Sequence, residues 1–321
     1  MSDIYYYSMS KILFRIAGGR AKNQELGLGH IYRSINLAEH FKNHEIFFLI
    51  EDYGGVSKLL KDKGFLNIKK ISLRPNLEID YKKTKNFIDS KKIDLVIVDK
   101  YGLKNKYVQY LKKITKTVVI SDLKNINFDA DLVINGFIGF KNTKTINKYG
   151  TICFLGPKYQ ILHKNYKKKP KREQPKYFFL ITLGGFDEKN IIDIVANQLI
   201  KYIDKIKVKI ILGPATKKSH LIKNLQLKNY KNLEIVYQVD SLIKEITKTK
   251  FGICAGGITS YEFASLGVPT IILCQYKHQI ITAKEWEKHE VGLNLGIPNT
   301  SFEQNLQKII QKIVYNEIKL K

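Results

Sequence analysis

The stretch Gln24 to Phe41, QELGLGHIYRSINLAEHF, sets a titratable ring directly after two glycines and at the head of an amphipathic pattern. Ile31, Ile35, Ala38 and Phe41 recur at helical spacing, so a helix is predicted to begin near His30. Glycines let a backbone approach an anion closely, and the free amides of a first helical turn point toward it. The positive end of the helix dipole disfavours a charged imidazole, so the ring is expected to stay neutral and able to accept a proton. That is the chemistry of a general base beside a phosphate-bearing ligand. A histidine that only caps or packs at a helix start fits the spacing equally well.

Two more glycine pairs sit where strands should end. In ITLGGFDEKN, Gly184 and Gly185 follow an apolar run, and Asp187 is placed to cap the next helix. In ICAGGITSYEFASLGVPTIILCQYKHQ, a strand is predicted to end at Ala255 and a helix to start near Thr259. Gly256 and Gly257 make the turn between them, Gly267 ends the helix and Pro269 prevents its continuation. Two readings stand for this element. A pyrophosphate rests on the amides after Gly257 while Glu262, one turn in, bonds ribose hydroxyls. Or Thr259 and Glu262, at capping-box spacing, only close the helix start. One carboxylate does not serve both at full strength.

These loops need a scaffold. The chain has 321 residues, 44% of them hydrophobic, enough for two domains. Short β-branched runs alternate with helical patterns: KILFRIA, EIFFLI, DLVIVDKYG and TVVISDL in the first half, KYFFLIT, KVKIILGP, FGICAGG and TIILC in the second. Alternation of this kind predicts an α/β fold with parallel sheets, whose ligands bind at the carboxyl ends of strands. Between the halves, HKNYKKKPKREQPK combines like charges with two prolines and reads as a solvated linker. The division expected is residues 1–163, a basic linker 164–176, and residues 177–321. No apolar run approaches the roughly 20 residues of a membrane span. The N-terminus shows no basic region followed by an apolar stretch, and the three cysteines are widely spaced, so a cytoplasmic protein with reduced thiols is expected. The formal charge of +26 is spread as scattered lysines with no nucleic-acid motif, so no nucleic-acid partner is expected; the charge helps attract a polyanionic small substrate.

The order FR…GLGHIYRSINLA, VDKYGL, LGPKYQILHKNY, FFLITLGGFD and AGGITSYEFASLGVP…HQ resembles the UDP-sugar hydrolase family of pseudaminic acid biosynthesis, which is grouped with spore-coat polysaccharide proteins. The matches run from Phe14 to about Gln279. The resemblance implies a GT-B fold, two Rossmann-like doubly wound domains facing across a cleft. It implies hydrolysis of a UDP-linked diacetamido-trideoxyhexose at the anomeric carbon, with inversion, by water that His30 activates. It places Arg15, Gly29 and Tyr101 on the substrate in the first half. Gly184, Gly185, Gly256, Gly257, Thr259, Glu262 and Gln279 fall there in the second. The glycine-glycine-glutamate segment is also similar to the nucleotide-binding segment of related glycosyltransferases, so a glycosyltransferase with an alcohol acceptor is the alternative.

Several positions depart from that pattern. No aspartate follows Arg15, and the loop after it is longer and carries Arg20 and Lys22. Lys100 stands after Asp99 where a histidine can occur, and His278 stands in place of an asparagine. All four changes are expected at the mouth of the cleft, where they bear on the sugar rather than on UDP. No cofactor is expected, and none of the seven histidines pairs with cysteine or carboxylate at metal-ligand spacing. The C-terminal pattern FEQNLQKIIQKIVYNEIKLK is helical, and the resemblance implies that it crosses back to the first domain.

Overall fold

A computed structural model describes residues 9–19, 27–168, 171–185, 187, 189–213, 216, 219–239 and 241–316. Arg20 and Lys22 lie outside the described residues, as do Lys169, Pro170 and the last five residues. The chain divides into two compact units, Met1–Ile161 and Leu162–Lys321.

In the first unit the order is β1 (Lys11–Gly19), α1 (Gly29–Ala38), β2 (Glu45–Tyr53), α2 (Val56–Asp62), β3 (Ile68–Ile71), α3 (Leu77–Lys91), β4 (Leu95–Asp99) and α4 (Asn105–Lys112). There follow β5 (Lys116–Ile120), β6 (Leu132–Asn135), β7 (Thr143–Ile146) and β8 (Ile152–Leu155). The sheet runs β3-β2-β1-β4-β5-β6-β8-β7, parallel throughout except for β7 against β8. The chain leaves β1 toward one side and returns to β4 on the other, which makes the β1/β4 boundary a switch point, the place where open α/β sheets bind ligands. The first sheet is covered on both faces, as parallel sheets require. Phe14, Ile16, Phe48 and Ile97 pack with Ile31 and Ile35 of α1 on one face. Leu13, Leu49, Val96 and Val98 pack with Ile88 of α3 and Leu111 of α4 on the other.

The second unit repeats the scheme with β9 (Tyr177–Thr182), α5 (Ile191–Leu199), β10 (Val208–Leu212), α6 (His220–Lys228), β11 (Leu233–Tyr237), α7 (Leu242–Ile246) and β12 (Thr249–Ala255). It continues with α8 (Ile258–Ser265), β13 (Thr270–Leu273), α9 (Lys277–Lys288), β14 (Gly292–Gly296) and α10 (Phe302–Asn316). Its sheet runs β11-β10-β9-β12-β13-β14, all parallel, with its switch point between β9 and β12. The described part of the C-terminal helix packs within this unit. Phe302, Leu306, Ile310 and Ile313 of α10 are buried in the core of this unit with Ile192 and Val195 of α5, because their spacing gives the helix one apolar stripe.

Within the segment 164–176, expected to be a solvated linker, described residues bond to the second unit. Arg172 donates to the carbonyls of Gly267 (3.1 Å) and Thr249 (2.7 Å), and the Lys176 amide donates to the Lys248 carbonyl (2.8 Å). A charged side chain such as Arg172 donates to backbone carbonyls as readily as it faces water.

Candidate active site

His30 occupies the second position of α1, and its ring reaches the carboxyl end of β4. Nδ1 lies 2.5 Å from Asp99 Oδ1. Asp99 is the last residue of β4, paired in register with Ile16 of β1, so the two meet at the switch point of the sheet. A carboxylate oxygen only accepts, so the shared proton sits on Nδ1 and the lone pair on Nε2. The ring keeps 17% side-chain exposure, whereas Asp99 has none.

Arg33 completes the arrangement. Three residues after His30, it shares a helix face with it. Its Nε donates to Asp99 Oδ2 (2.9 Å) and Nη2 to Asp99 Oδ1 (2.6 Å), a bidentate grip on the buried carboxylate. Nη1 donates to Asp122 Oδ1 at 2.5 Å, just beyond β5. Asp122 Oδ2 is 3.8 Å from His30 Nδ1 and the residue's side chain is half exposed. The Ser34 hydroxyl also reaches Asp99 Oδ2, at 3.4 Å.

The electrostatics correct the expectation of a ring kept neutral by the helix dipole. Burial pushes His30 down, but the charge and hydrogen bond of Asp99, with Asp122 behind them, outweigh burial and hold the ring above the ordinary histidine value. Burial likewise pushes Asp99 up, and Arg33 and His30 more than reverse it. A buried carboxylate at 2.5 Å outweighs the partial charge of a helix end. His30, Asp99 and Asp122 also each offer a ligand atom within 4.8 Å of the others, a grouping that sequence spacing did not suggest. Arg33 already serves both carboxylates as counter-cation.

Arg15 does not join them. The strand continues to Gly19, so Arg15 is central in β1 rather than at its end, and it is completely buried. Its guanidinium donates to Asp80 Oδ1 (2.9 Å from Nε), Glu51 Oε1 (2.5 Å from Nη2) and the Ile16 carbonyl (2.9 Å from Nη1). Lys100 closes the cluster, donating to Glu51 Oε1 and Asp80 Oδ2, each at 2.7 Å. Two cations and two carboxylates balance inside the fold, and the expected contact of Arg15 with substrate is withdrawn. Lys100 likewise spends its ammonium on this cluster. Tyr101, two residues past Asp99, is 54% exposed.

In the second unit the glycine signals converge. Gly184, with φ of +80°, places its α-carbon so that an added methyl would stand 3.7 Å from the Thr259 hydroxyl. A methyl on Gly256 would meet the Gln279 carbonyl at 2.8 Å, so only hydrogen fits between β12 and α9. A methyl on Gly257 would meet nothing within 4 Å: the space before α8 is open. Gly257 is the cap residue of α8, and no side-chain cap is made to its first amides. The helix starts at Ile258, next to the expected Thr259, and with Gly257 at the cap position Thr259 is its second residue, so the capping-box reading of Glu262 is corrected. Glu262 instead accepts from Tyr166 at 3.1 Å, and burial pushes its carboxyl up to about 7 against the hydrogen bonds from Tyr166 and Thr259. Gln279 Oε1 accepts from the Gln275 amide at 2.8 Å, which orients its amide group. His278 stacks on Tyr276 with ring centroids 5.8 Å apart. Asp187 caps α5 as expected, accepting from the amides of Ile191 and Ile192 at 2.9 Å each.

No family model matches the chain. It is 29% identical over 273 residues to an uncharacterized protein of Methanocaldococcus jannaschii, a match covering 79% of this chain and 54% of that one, so the chain spans about half the length of that relative. It is 27% identical over 288 residues to the spore coat polysaccharide biosynthesis protein SpsG of Bacillus subtilis, covering 85% and 81% of the two chains. It is 23% identical over 279 residues to the UDP-2,4-diacetamido-2,4,6-trideoxy-β-L-altropyranose hydrolase of Campylobacter jejuni, covering 85% and 94%. Among solved structures, MurG of Acinetobacter baumannii superposes with a TM-score of 0.60 at 16% identity, over 96% of this chain and 92% of that one. The spinosyn rhamnosyltransferase SpnG complexed with thymidine diphosphate gives 0.61 at 12% identity, over 95% and 92%. The fold is that of the GT-B glycosyltransferases. Both of its Rossmann-like domains were legible in the alternation of strands and helices.

Proposed function

We propose that this chain is a nucleotide-sugar enzyme of surface-polysaccharide biosynthesis. Specifically, it hydrolyses a UDP-linked diacetamido-trideoxyhexose at the anomeric carbon, for nonulosonic (pseudaminic-type) acid synthesis. The observation that carries this reading is the His30–Asp99 couple at the β1/β4 switch point. Nε2 takes a proton from water as the water oxygen attacks the anomeric carbon from the face opposite UDP. The bond from that carbon to the phosphate oxygen breaks, and UDP leaves with the electron pair, inverting the centre. Asp99 holds the tautomer and stabilises the imidazolium that forms, the role a buried carboxylate plays behind a catalytic histidine.

The UDP is assigned to the second unit. The free amides after Gly257 would take the diphosphate and offset the charge that grows on it as the bond breaks. Gly256, Thr259, Gly184 and Gly185 are assigned to the same nucleotide, Glu262 would bond the ribose, and Gln279 would reach the diphosphate. In the first unit, Gly29 and Tyr101 are assigned to the sugar side. Similarity to SpsG and to the altropyranose hydrolase supports the class.

Glycosyl transfer to an alcohol is the second reading, supported by the fold shared with SpnG and MurG. The same Nε2 would deprotonate a hydroxyl. The deciding experiment offers the purified protein a panel of UDP-sugars, the 2,4-diacetamido-2,4,6-trideoxyaltrose derivative and UDP-N-acetylglucosamine among them, without acceptor. Fast UDP release from the former alone establishes the hydrolase. Binding without release from any donor moves the assignment to transfer.

A further inference from the structure

The stretch that opens the second unit meets the helix assigned to the nucleotide at two places, in its middle turn and just past its end. Lys164–Lys168 form a 3-10 turn that buries Tyr166, whose phenol donates to Glu262 Oε1 at 3.1 Å. Further along, Arg172 donates to the carbonyl of Gly267, just past the end of α8, and to that of Thr249, at the start of β12. The Glu173 amide adds a bond to the Thr247 carbonyl at 3.2 Å. Glu262 faces the Tyr166 phenol, the Thr259 hydroxyl and, from β12, the Cys254 thiol. A carboxylate accepts at about four lone-pair positions, so a phenol on one oxygen fixes the group while leaving acceptors for a ligand. Without such a donor, a buried carboxylate takes up a proton and turns from acceptor to partial donor.

We infer that Tyr166 is a positioning residue for nucleotide recognition: it orients the Glu262 carboxylate toward ribose hydroxyls, so that docking of Tyr166 and Arg172 on the second unit and binding of the nucleotide favour each other. The inference rests on the assignment of UDP to α8. Coupling of this kind is reciprocal. A docked segment raises nucleotide affinity, and bound nucleotide holds the segment down. The ring of Tyr166 fills its place with or without the hydroxyl, so the phenylalanine variant isolates the hydrogen bond.

The test measures UDP binding to the full chain by calorimetry from about pH 5 to pH 9, together with trypsin cleavage within 164–176. Wild type, Tyr166→Phe and Glu262→Gln are compared, each with a thermal melt. Tyr166→Phe is expected to weaken UDP about tenfold at pH 7. The pH below which binding weakens should move upward, and UDP should no longer protect the segment from trypsin, with the melt little changed. A purely structural tyrosine would lower the melting temperature and leave the pH profile of UDP binding where it was. Wild-type affinity and profile in Tyr166→Phe, with loss in Glu262→Gln, overturn the inference and leave the UDP site standing. Wild-type binding in Glu262→Gln overturns the site assignment itself, and the inference with it.

Discussion

His30 Nδ1 and Asp99 Oδ1 lie 2.5 Å apart although 69 positions separate them in the chain. The contact exists because β1 and β4 pair in parallel, with Ile16 opposite Asp99, and α1 follows β1. Replacing Asp99 with asparagine keeps the shape and removes the charge. The amide presents either a donor or a weaker acceptor to Nδ1, so the lone pair no longer has to sit on Nε2. UDP release is expected to fall by about 10³-fold or more, with UDP affinity unchanged. Steady-state kinetics beside calorimetry check this.

The raised basicity of His30 fixes the direction of the pH dependence. As general base the ring must be neutral, so kcat/KM should rise with pH through a value above the ordinary 6.5 of histidine. Asp122 contributes a negative charge 3.8 Å from Nδ1, from a side chain that is half exposed. Asp122→Asn should move the limb to lower pH by less than about one unit, since solvent screens the pair. The stabilisation from His30 follows the opposite course. It is complete below the unfolded pKa and is lost as pH climbs through the raised folded value.

Arg15 belongs to the framework, and its removal should show as such. Arg15→Met leaves the buried Glu51 and Asp80 to share the ammonium of Lys100 as their cation. Breaking a buried ion cluster from one side costs about 3–5 kcal/mol. Urea unfolding should register that loss, while UDP affinity of the folded fraction stays at the wild-type value. A selective loss of UDP affinity would return Arg15 to the substrate.

The glycine loops of the second unit separate space from conformation. Gly257 has φ of −108°, which any residue adopts, and open space where a side chain would go. Gly257→Ala is expected to melt within a couple of degrees of wild type while weakening UDP by about tenfold or more, because the methyl would occupy the path to the α8 amides. Gly184→Ala, with φ of +80°, should instead lose about 1–2 kcal/mol of stability before any ligand is considered.

Glu262 gives a linkage prediction. Its carboxyl, pushed up to about 7 by burial, remains protonated in the folded chain at pH values where the unfolded chain has released the proton. Stability should therefore fall as pH rises from about 4.5 to 7. Glu262→Gln should melt near wild type at pH 5 and several degrees higher at pH 8, read by calorimetric scans at both.

What sequence could disclose followed from adjacency. Gly27 to Phe41 and Gly256 to Gly267 are continuous stretches in which turn, helix start and helix stop are written side by side, and the two sheets follow from short apolar runs between helices. Asp99, Asp122 and Arg33 stayed out of view as partners because parallel pairing, with whole helices between strands, brings them together. Arg33 was visible in the Gly-x-Gly-His-x-x-Arg spacing, three residues from His30, but its role needed the carboxylates that meet it. Arg15 misled because a buried arginine in a long parallel strand reads the same, in sequence, as one at a strand end. Its acceptors come from β2 and α3.

His30 and Arg33 ride on one helix, a little under one turn apart. Each residue of an α-helix advances the direction of the side chain by about 100°. One residue inserted between them would swing the guanidinium away from Asp99 while leaving the imidazole in place. The carboxylate would then face the ring without its counter-cation, and the ring would bind its proton too tightly to act as a base near neutrality. The three-residue interval is thus a setting for proton affinity, written into the pitch of α1.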